Sequence, residues 1–241
     1  MSLLAVENLS KQFGGLTAVH NLSFAVNEGE ILGLIGPNGA GKTTTFNLVS
    51  GFLVPTSGRI FFRGQRIDGR KPHEICALGL TRTFQIVQPF PDITVLENVL
   101  IGAFSRHPSL GSARRKAREV LEQVGLAHKA DTLGKNLTLL ELKWLEIAKA
   151  LATEPRMLLL DEVAAGLNPV EIEEVLALVR KLNAEGVTLL LVEHVMQVIM
   201  NLSHRIIVLN FGEKIAEGTP DQISHNPQVL EAYLGEEVSD A

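Results

Sequence analysis

Gly36-Pro37-Asn38-Gly39-Ala40-Gly41-Lys42-Thr43 fits the pattern G-x-x-x-x-G-K-[ST], and its flanks decide how it is read. Ahead of it, Ile31-Leu32-Gly33-Leu34-Ile35 is an apolar run of buried-strand length. Behind it, Thr44-Thr45-Phe46-Asn47-Leu48-Val49-Ser50 reads as a helix. Strand, glycine loop and helix together form a phosphate cradle. Backbone N–H groups turn inward around an anion, and the positive end of the new helix points at the same place. In such a cradle Lys42 reaches the β- and γ-phosphates and the Thr43 hydroxyl ligates Mg²⁺.

A second segment supplies acids. Met157-Leu158-Leu159-Leu160-Asp161-Glu162 is four apolar residues followed by two carboxylates. This describes a buried strand that delivers its acids to the C-terminal edge of a sheet, where open α/β sheets bind ligands. Asp161 suits Mg²⁺, which takes oxygen ligands. Glu162 suits a general base or a water-positioning group facing the γ-phosphate.

The rest of the chain frames these segments. Leu4–Leu9, Ala18–Val26 and Arg59–Arg63 alternate as strands do, separated by Phe13-Gly14-Gly15 and Asn27-Glu28-Gly29. From Thr94 to Thr153 apolar residues recur at helical spacing, as in Val95-Leu96-Val99-Leu100 and Val120-Leu121-Val124. From Arg156 onward strands and helices alternate: Met157–Leu160, Pro169–Ala184, Val187–Val192, Met196–Ser203 and Ile206–Leu209. That alternation predicts a mostly parallel sheet covered on both faces, with the helical stretch, about residues 90–153, inserted into one nucleotide-binding domain over 1–241. The tail Gly235-Glu236-Glu237-Val238-Ser239-Asp240-Ala241 is polar and expected to fray.

Composition narrows the class. A chain of 241 residues buries a core without disulfide or metal staples. The single cysteine, Cys76, cannot form an internal bridge and fits a reducing compartment. A net charge of −5 argues against non-specific nucleic-acid binding, which needs clustered Lys and Arg. The Arg114-Arg115-Lys116-Arg118 cluster reads as a solvated helix face. The N-terminus lacks the basic and apolar regions of a signal peptide, and no stretch approaches the ~18 apolar residues of a membrane span. At a membrane, this chain must dock onto something that spans it.

Taken together the motifs resemble the ATPase subunit of an ABC transporter, over nearly the full length. The resemblance implies a P-loop NTPase (ABC ATPase) core with an N-terminal antiparallel β subdomain and an inserted helical subdomain. It implies ATP and Mg²⁺ held by Gly36, Pro37, Asn38, Gly39, Ala40, Gly41, Lys42, Thr43 and Thr44 with Asp161. It assigns Gln85, in Thr81-Arg82-Thr83-Phe84-Gln85, to Mg²⁺ and the attacking water, and His194, in Leu191-Val192-Glu193-His194, to the γ-phosphate. Phe13 matches the aromatic that stacks on adenine. Thr94-Val95-Leu96-Glu97-Asn98-Val99, Ala164-Ala165-Gly166-Leu167-Asn168-Pro169 and Ala232-Tyr233-Leu234-Gly235-Glu236 are similar to the LivG/BraF-type subunit of branched-chain amino-acid importers. Asn168 stands where most ABC ATPases carry Asp, as is common in that subgroup. The implied partners are two membrane-spanning permease subunits, a second ATPase subunit and, indirectly, an extracytoplasmic substrate-binding protein. The implied location is the cytoplasmic face of the inner membrane. A soluble ABC protein of translation or DNA repair is the rival reading, as is a weakly hydrolysing subunit.

One stretch departs from the family pattern. The signature Leu-Ser-Gly-Gly-Gln is represented by Leu137-Thr138-Leu139-Leu140-Glu141. Glycines allow close backbone approach to a phosphate, whereas Leu139 and Leu140 are expected to put side chains there. Thr138 keeps a hydroxyl. Val163 replaces the proline usual after the catalytic Glu. Because each signature completes the site on the opposite subunit, two alternatives follow. Either both sites hydrolyse, or an asymmetric heterodimer hydrolyses mainly at this chain's P-loop.

Overall fold

The computed structural model describes residues 2–84 and 89–237. Two long strands, β1 (Ser2–Phe13) and β2 (Leu16–Asn27), open the chain and lead into β3 (Ile31–Ile35) and α1 (Lys42–Val49). The chain continues through β4 (Ser57–Phe62), β5 (Gln65–Arg66), α2 (Pro72–Leu78) and β6 (Leu80–Arg82). Three helices follow, α3 (Val95–Ala103), α4 (Leu110–Gln123) and α5 (Leu139–Leu151). The chain then alternates: β7 (Met157–Asp161), α6 (Pro169–Ala184), β8 (Thr188–Val192), α7 (Met196–Leu202) and β9 (Arg205–Asn210). It ends with β10 (Glu213–Gly218), α8 (Pro220–Ser224) and α9 (Pro227–Glu237).

The strands form two sheets. One is antiparallel, in the order β2-β1-β4-β5, and the other has six strands in the order β10-β9-β3-β8-β7-β6. In the larger sheet β9, β3, β8, β7 and β6 run parallel and β10 pairs antiparallel at the edge. This is the α/β P-loop architecture expected, and the side chains show why its strands read as unbroken apolar runs. Alternate residues leave opposite faces of a strand, and both faces are covered. Leu32, Leu34, Leu159, Leu190 and Ile207 pack with α1 and the antiparallel sheet. Ile31, Leu158, Leu160, Leu189 and Val208 pack into a second cluster with α3 to α7.

Side chains cap the starts of α3, α4, α5, α6 and α8. Thr94 and Glu97 form a reciprocal capping box on α3 (N···O 3.2 and 2.8 Å). Asn168 does the same with Glu171 on α6, which gives a local reason for this amide at that position. β10 is an element the sequence reading did not anticipate. Its turn presses Gly212 against Ala18, where an added Cβ would lie 2.9 Å from the Ala18 carbonyl oxygen. Gly212 donates its N–H to the Ala40 carbonyl (3.1 Å) and accepts from the His20 N–H (2.9 Å). α9 runs through Glu237, and the last four residues of the polar tail lie outside the described residues.

Candidate functional site

The loop between β3 and α1 turns as the glycine pattern demands. Gly36 sits at φ +151°, and a Cβ there would come within 2.1 Å of the Leu209 carbonyl oxygen at the end of β9. Only glycine lets β3 leave the sheet so close to its neighbour. Asn38, Gly39, Ala40, Gly41, Lys42, Thr43 and Thr44 then curve around a cavity of about 360 Å³, and Glu162 and His194 close its far side. Lys42 is buried, with its ammonium on the carbonyl oxygens of Gly36 (2.6 Å) and Pro37 (2.8 Å).

Glu162 follows the end of β7 in a left-handed backbone conformation, φ +50°, uncommon for a side chain with a Cβ. Its N–H donates to the Val192 carbonyl at 2.8 Å. Its carboxylate Oε1 lies 2.9 Å from Nε2 of His194, which follows β8. Adjacent parallel strands thus deliver the two residues to one edge, as the positions of the two motifs implied.

Asp161 faces a neighbouring cleft of about 580 Å³ that it shares with Thr43. The larger volume is not the phosphate cradle, since the loop glycines and Glu162 line the smaller cavity. Asp161 is buried and its Oδ2 accepts from Arg82 at 2.9 Å. Burial pushes the Asp161 carboxyl above its ordinary range, against the pull of Arg82. The same burial lowers the Arg82 guanidinium. Arg82 also bonds Asn47 Oδ1 (2.6 Å) and lies over the rings of Phe46, Phe52 and Phe84 at 5.8, 5.5 and 5.1 Å. Sequence reasoning assigned Arg82 no role; its signal lies in the pairing of β6 beside β7, which sets Arg82 across from Leu159.

Thr43 and Asp161 offer a hydroxyl and a carboxylate to one cleft, a donor set that suits a hard cation. Among the described residues no group of three or more His, Cys, Asp or Glu could hold a metal ion. Phe13 ends β1, half-exposed beneath Lys11 Nζ (5.1 Å), and does not line the cradle. Gln85 lies outside the described residues.

The altered signature splits. Thr138 caps α5, and its hydroxyl accepts the Glu141 N–H (3.3 Å) while Glu141 accepts the Thr138 N–H (2.9 Å). Glu141 also pairs with Lys129 at 2.9 Å. Leu139 is 46% exposed and contacts Gly166, where an added Cβ would lie 3.2 Å from its Cδ2. Leu140, in contrast to the expectation, packs inward with Leu137 against the main apolar cluster. It continues the stripe of Trp144, Ala148 and Leu151 along the buried face of α5.

Fold and cradle together define a P-loop nucleoside-triphosphatase. The ABC transporter family profile matches residues 19–165. The chain is 44% identical to the High-affinity branched-chain amino acid transport ATP-binding protein LivG of Escherichia coli (strain K12), over 97% of this chain and 98% of that protein. The chain belongs to the ABC transporter family, as an ATP-binding and ATP-hydrolysing subunit. It is 43% identical to the High-affinity branched-chain amino acid transport ATP-binding protein BraF of Pseudomonas aeruginosa, over 97% of this chain and 98% of that protein. A profile described as Branched-chain amino acid ATP-binding cassette transporter matches residues 213–239. Among solved structures, a nucleotide-free ATP-binding cassette from an ABC transporter gives a TM-score of 0.89 at 34% identity, covering 97% of this chain and 99% of that one. The ADP conformation of an ATP-binding cassette of an ABC transporter gives 0.89 at 34%, covering 98% and 99%. The family resemblance of the motifs is thereby borne out. No helix among the described residues is long and apolar enough to cross a membrane.

Proposed function

We propose that this chain drives uptake of branched-chain or related amino acids, hydrolysing Mg·ATP while docked on membrane-spanning permease subunits at the cytoplasmic face. The carrying observation is the single cavity into which Lys42, Thr43, Glu162 and His194 converge. The chemistry is phosphoryl transfer to water, and positioning with electrostatics carries it. Lys42 holds phosphate charge, and Glu162, oriented by His194, takes the proton of the attacking water. Thr43 and Asp161 would hold Mg²⁺, which would supply positive charge to offset that of the phosphates. Phe13 stacks on the adenine from the end of β1. The half-exposed Phe84, Phe90 and Ile101 around the larger cleft supply an apolar surface for a permease segment.

The test is affinity purification of the complex from native membranes, followed by leucine uptake in vesicles. Two multi-span subunits, a second ATPase and uptake abolished by Glu162→Gln support the reading. Recovery only from the soluble fraction, with ribosomes or DNA, would sink it.

A second reading concerns symmetry. Two N–H groups at the start of α5 are already engaged, that of Glu141 by the Thr138 hydroxyl and that of Thr138 by the Glu141 carboxylate. A negative charge at that helix start opposes an approaching phosphate. This supports an asymmetric heterodimer in which hydrolysis runs mainly at this chain's P-loop. Neutralising the partner's catalytic carboxylate should then cost less turnover than Glu162→Gln; equal costs refute asymmetry, and the reverse order refutes this direction of it.

A further inference from the structure

Lys143 has no part in the chemistry above, yet its ammonium is buried within reach of the catalytic loop. It lies on α5, is 6% exposed, and donates to the Glu162 carbonyl oxygen at 2.9 Å. Burial lowers its pKa, and of the carboxylates that oppose this, Glu193 acts most strongly, ahead of Glu162, Asp161 and Glu146. Glu193 is itself 3% exposed. Its Oε1 accepts the Ala164 N–H at 2.9 Å, and its Oε2 has no hydrogen-bond partner among the described residues. Two buried ionisable side chains from different elements therefore grip the backbone on either side of Val163.

This grip falls where the backbone needs it. A residue other than glycine held in the left-handed region is strained and persists only when its surroundings over-determine it. Glu162 is such a residue. Its N–H is fixed by Val192, its carbonyl by Lys143, and the amide two residues on by Glu193. A buried ion-pairing group is a poor source of net stability, because desolvation offsets much of its attraction. A buried ammonium aimed at one carbonyl is better explained by what it orients.

We infer that Lys143, backed by Glu193, is a positioning residue that fixes the Glu162 backbone and so aims its carboxylate at the attacking water. The inference rests on the proposed role of Glu162. It predicts a rate effect without a binding effect, since neither side chain lines the phosphate cradle.

The test uses the intact complex from native membranes, with kcat and KM for ATP and a separate nucleotide Kd. Lys143→Met, similar in length but uncharged, should lower kcat about ten- to a hundredfold, the scale expected of a misaimed catalytic group. KM and Kd should stay within about twofold, and Lys143→Arg should recover much of the rate. Glu193→Gln keeps the acceptor for Ala164 but not the charge, and should lower kcat several-fold with Kd unchanged. If Lys143→Met does not fold, Glu193→Gln decides alone. A kcat within twofold of the unmodified complex in the folded variants overturns the inference. So does a fall in Kd affinity that tracks the fall in rate, the mark of a merely structural residue. Glu162→Gln is the control. If it still turns over, the assignment of the base fails and the inference with it. If it is inactive while Lys143→Met and Glu193→Gln are not, only the inference fails.

Discussion

Arg82 and Asp161 meet at 2.9 Å with side chains 7% and 3% exposed, so the acid at the end of β7 is held by a cation sealed under three aromatic rings. Breaking a buried pair costs more than the pair contributes, because one charge is left stranded. Arg82→Leu should therefore destabilise the chain by about 3–5 kcal/mol, whereas adding Asp161→Leu should recover most of that. Urea unfolding of the two variants checks it. Turnover should stay lost in the double variant, separating the stability of the pair from the work of Asp161.

Lys42 should show the opposite profile. Its charge is aimed at the cradle, and hydrogen bonds to charged groups contribute about 1.5–3 kcal/mol. Lys42→Ala should weaken ATP binding about ten- to a hundredfold, read by calorimetric titration, with a much smaller loss of rate for whatever ATP remains bound than Glu162→Gln produces.

Glu193 makes stability depend on pH. Burial pushes its carboxyl up to about 7, above the unfolded value of about 4.3. The folded state then binds more protons than the unfolded state across that window, so stability falls as pH rises from about 4.3 to 7 and is flat beyond. A shift of this size corresponds to roughly 4 kcal/mol. Glu193→Gln should flatten the slope, and urea midpoints at pH 5 and pH 8 would reveal it. An equal slope in both proteins would show that another group titrates.

Asn168 caps α6 through its side-chain oxygen, which accepts from Val170 and Glu171. Asn168→Ala should cost about 1 kcal/mol, while Asn168→Asp should be nearly neutral, since the two rank equally as caps. Thermal unfolding distinguishes them.

What the sequence disclosed was local. The phosphate loop was legible because its glycines, lysine and threonine are contiguous and flanked by a strand and a helix. The parallel strands were legible because burial on both faces leaves unbroken apolar runs. β10 escaped notice because it is a polar edge strand, Glu213-Lys214-Ile215-Ala216-Glu217-Gly218, with few buried side chains. Arg82 and Lys143 were illegible for another reason. Each acquires its partner only when β6 lies beside β7, or α5 beside the Glu162 loop, and no spacing along the chain encodes that. Leu140 could have been read correctly. Its distance from Trp144 and Ala148 already placed it on the inward stripe of α5, and attention to the missing glycines obscured that signal.

Gly212 joins β2 and the phosphate loop through its two backbone groups, one bond to each. Opening the loop therefore strains the antiparallel sheet, which lends Ala18 to the lining of the cradle. A bound nucleotide stabilises whatever must open for it to leave. Amide hydrogen exchange at His20, whose N–H bonds Gly212 and not the loop, should accordingly slow when nucleotide binds.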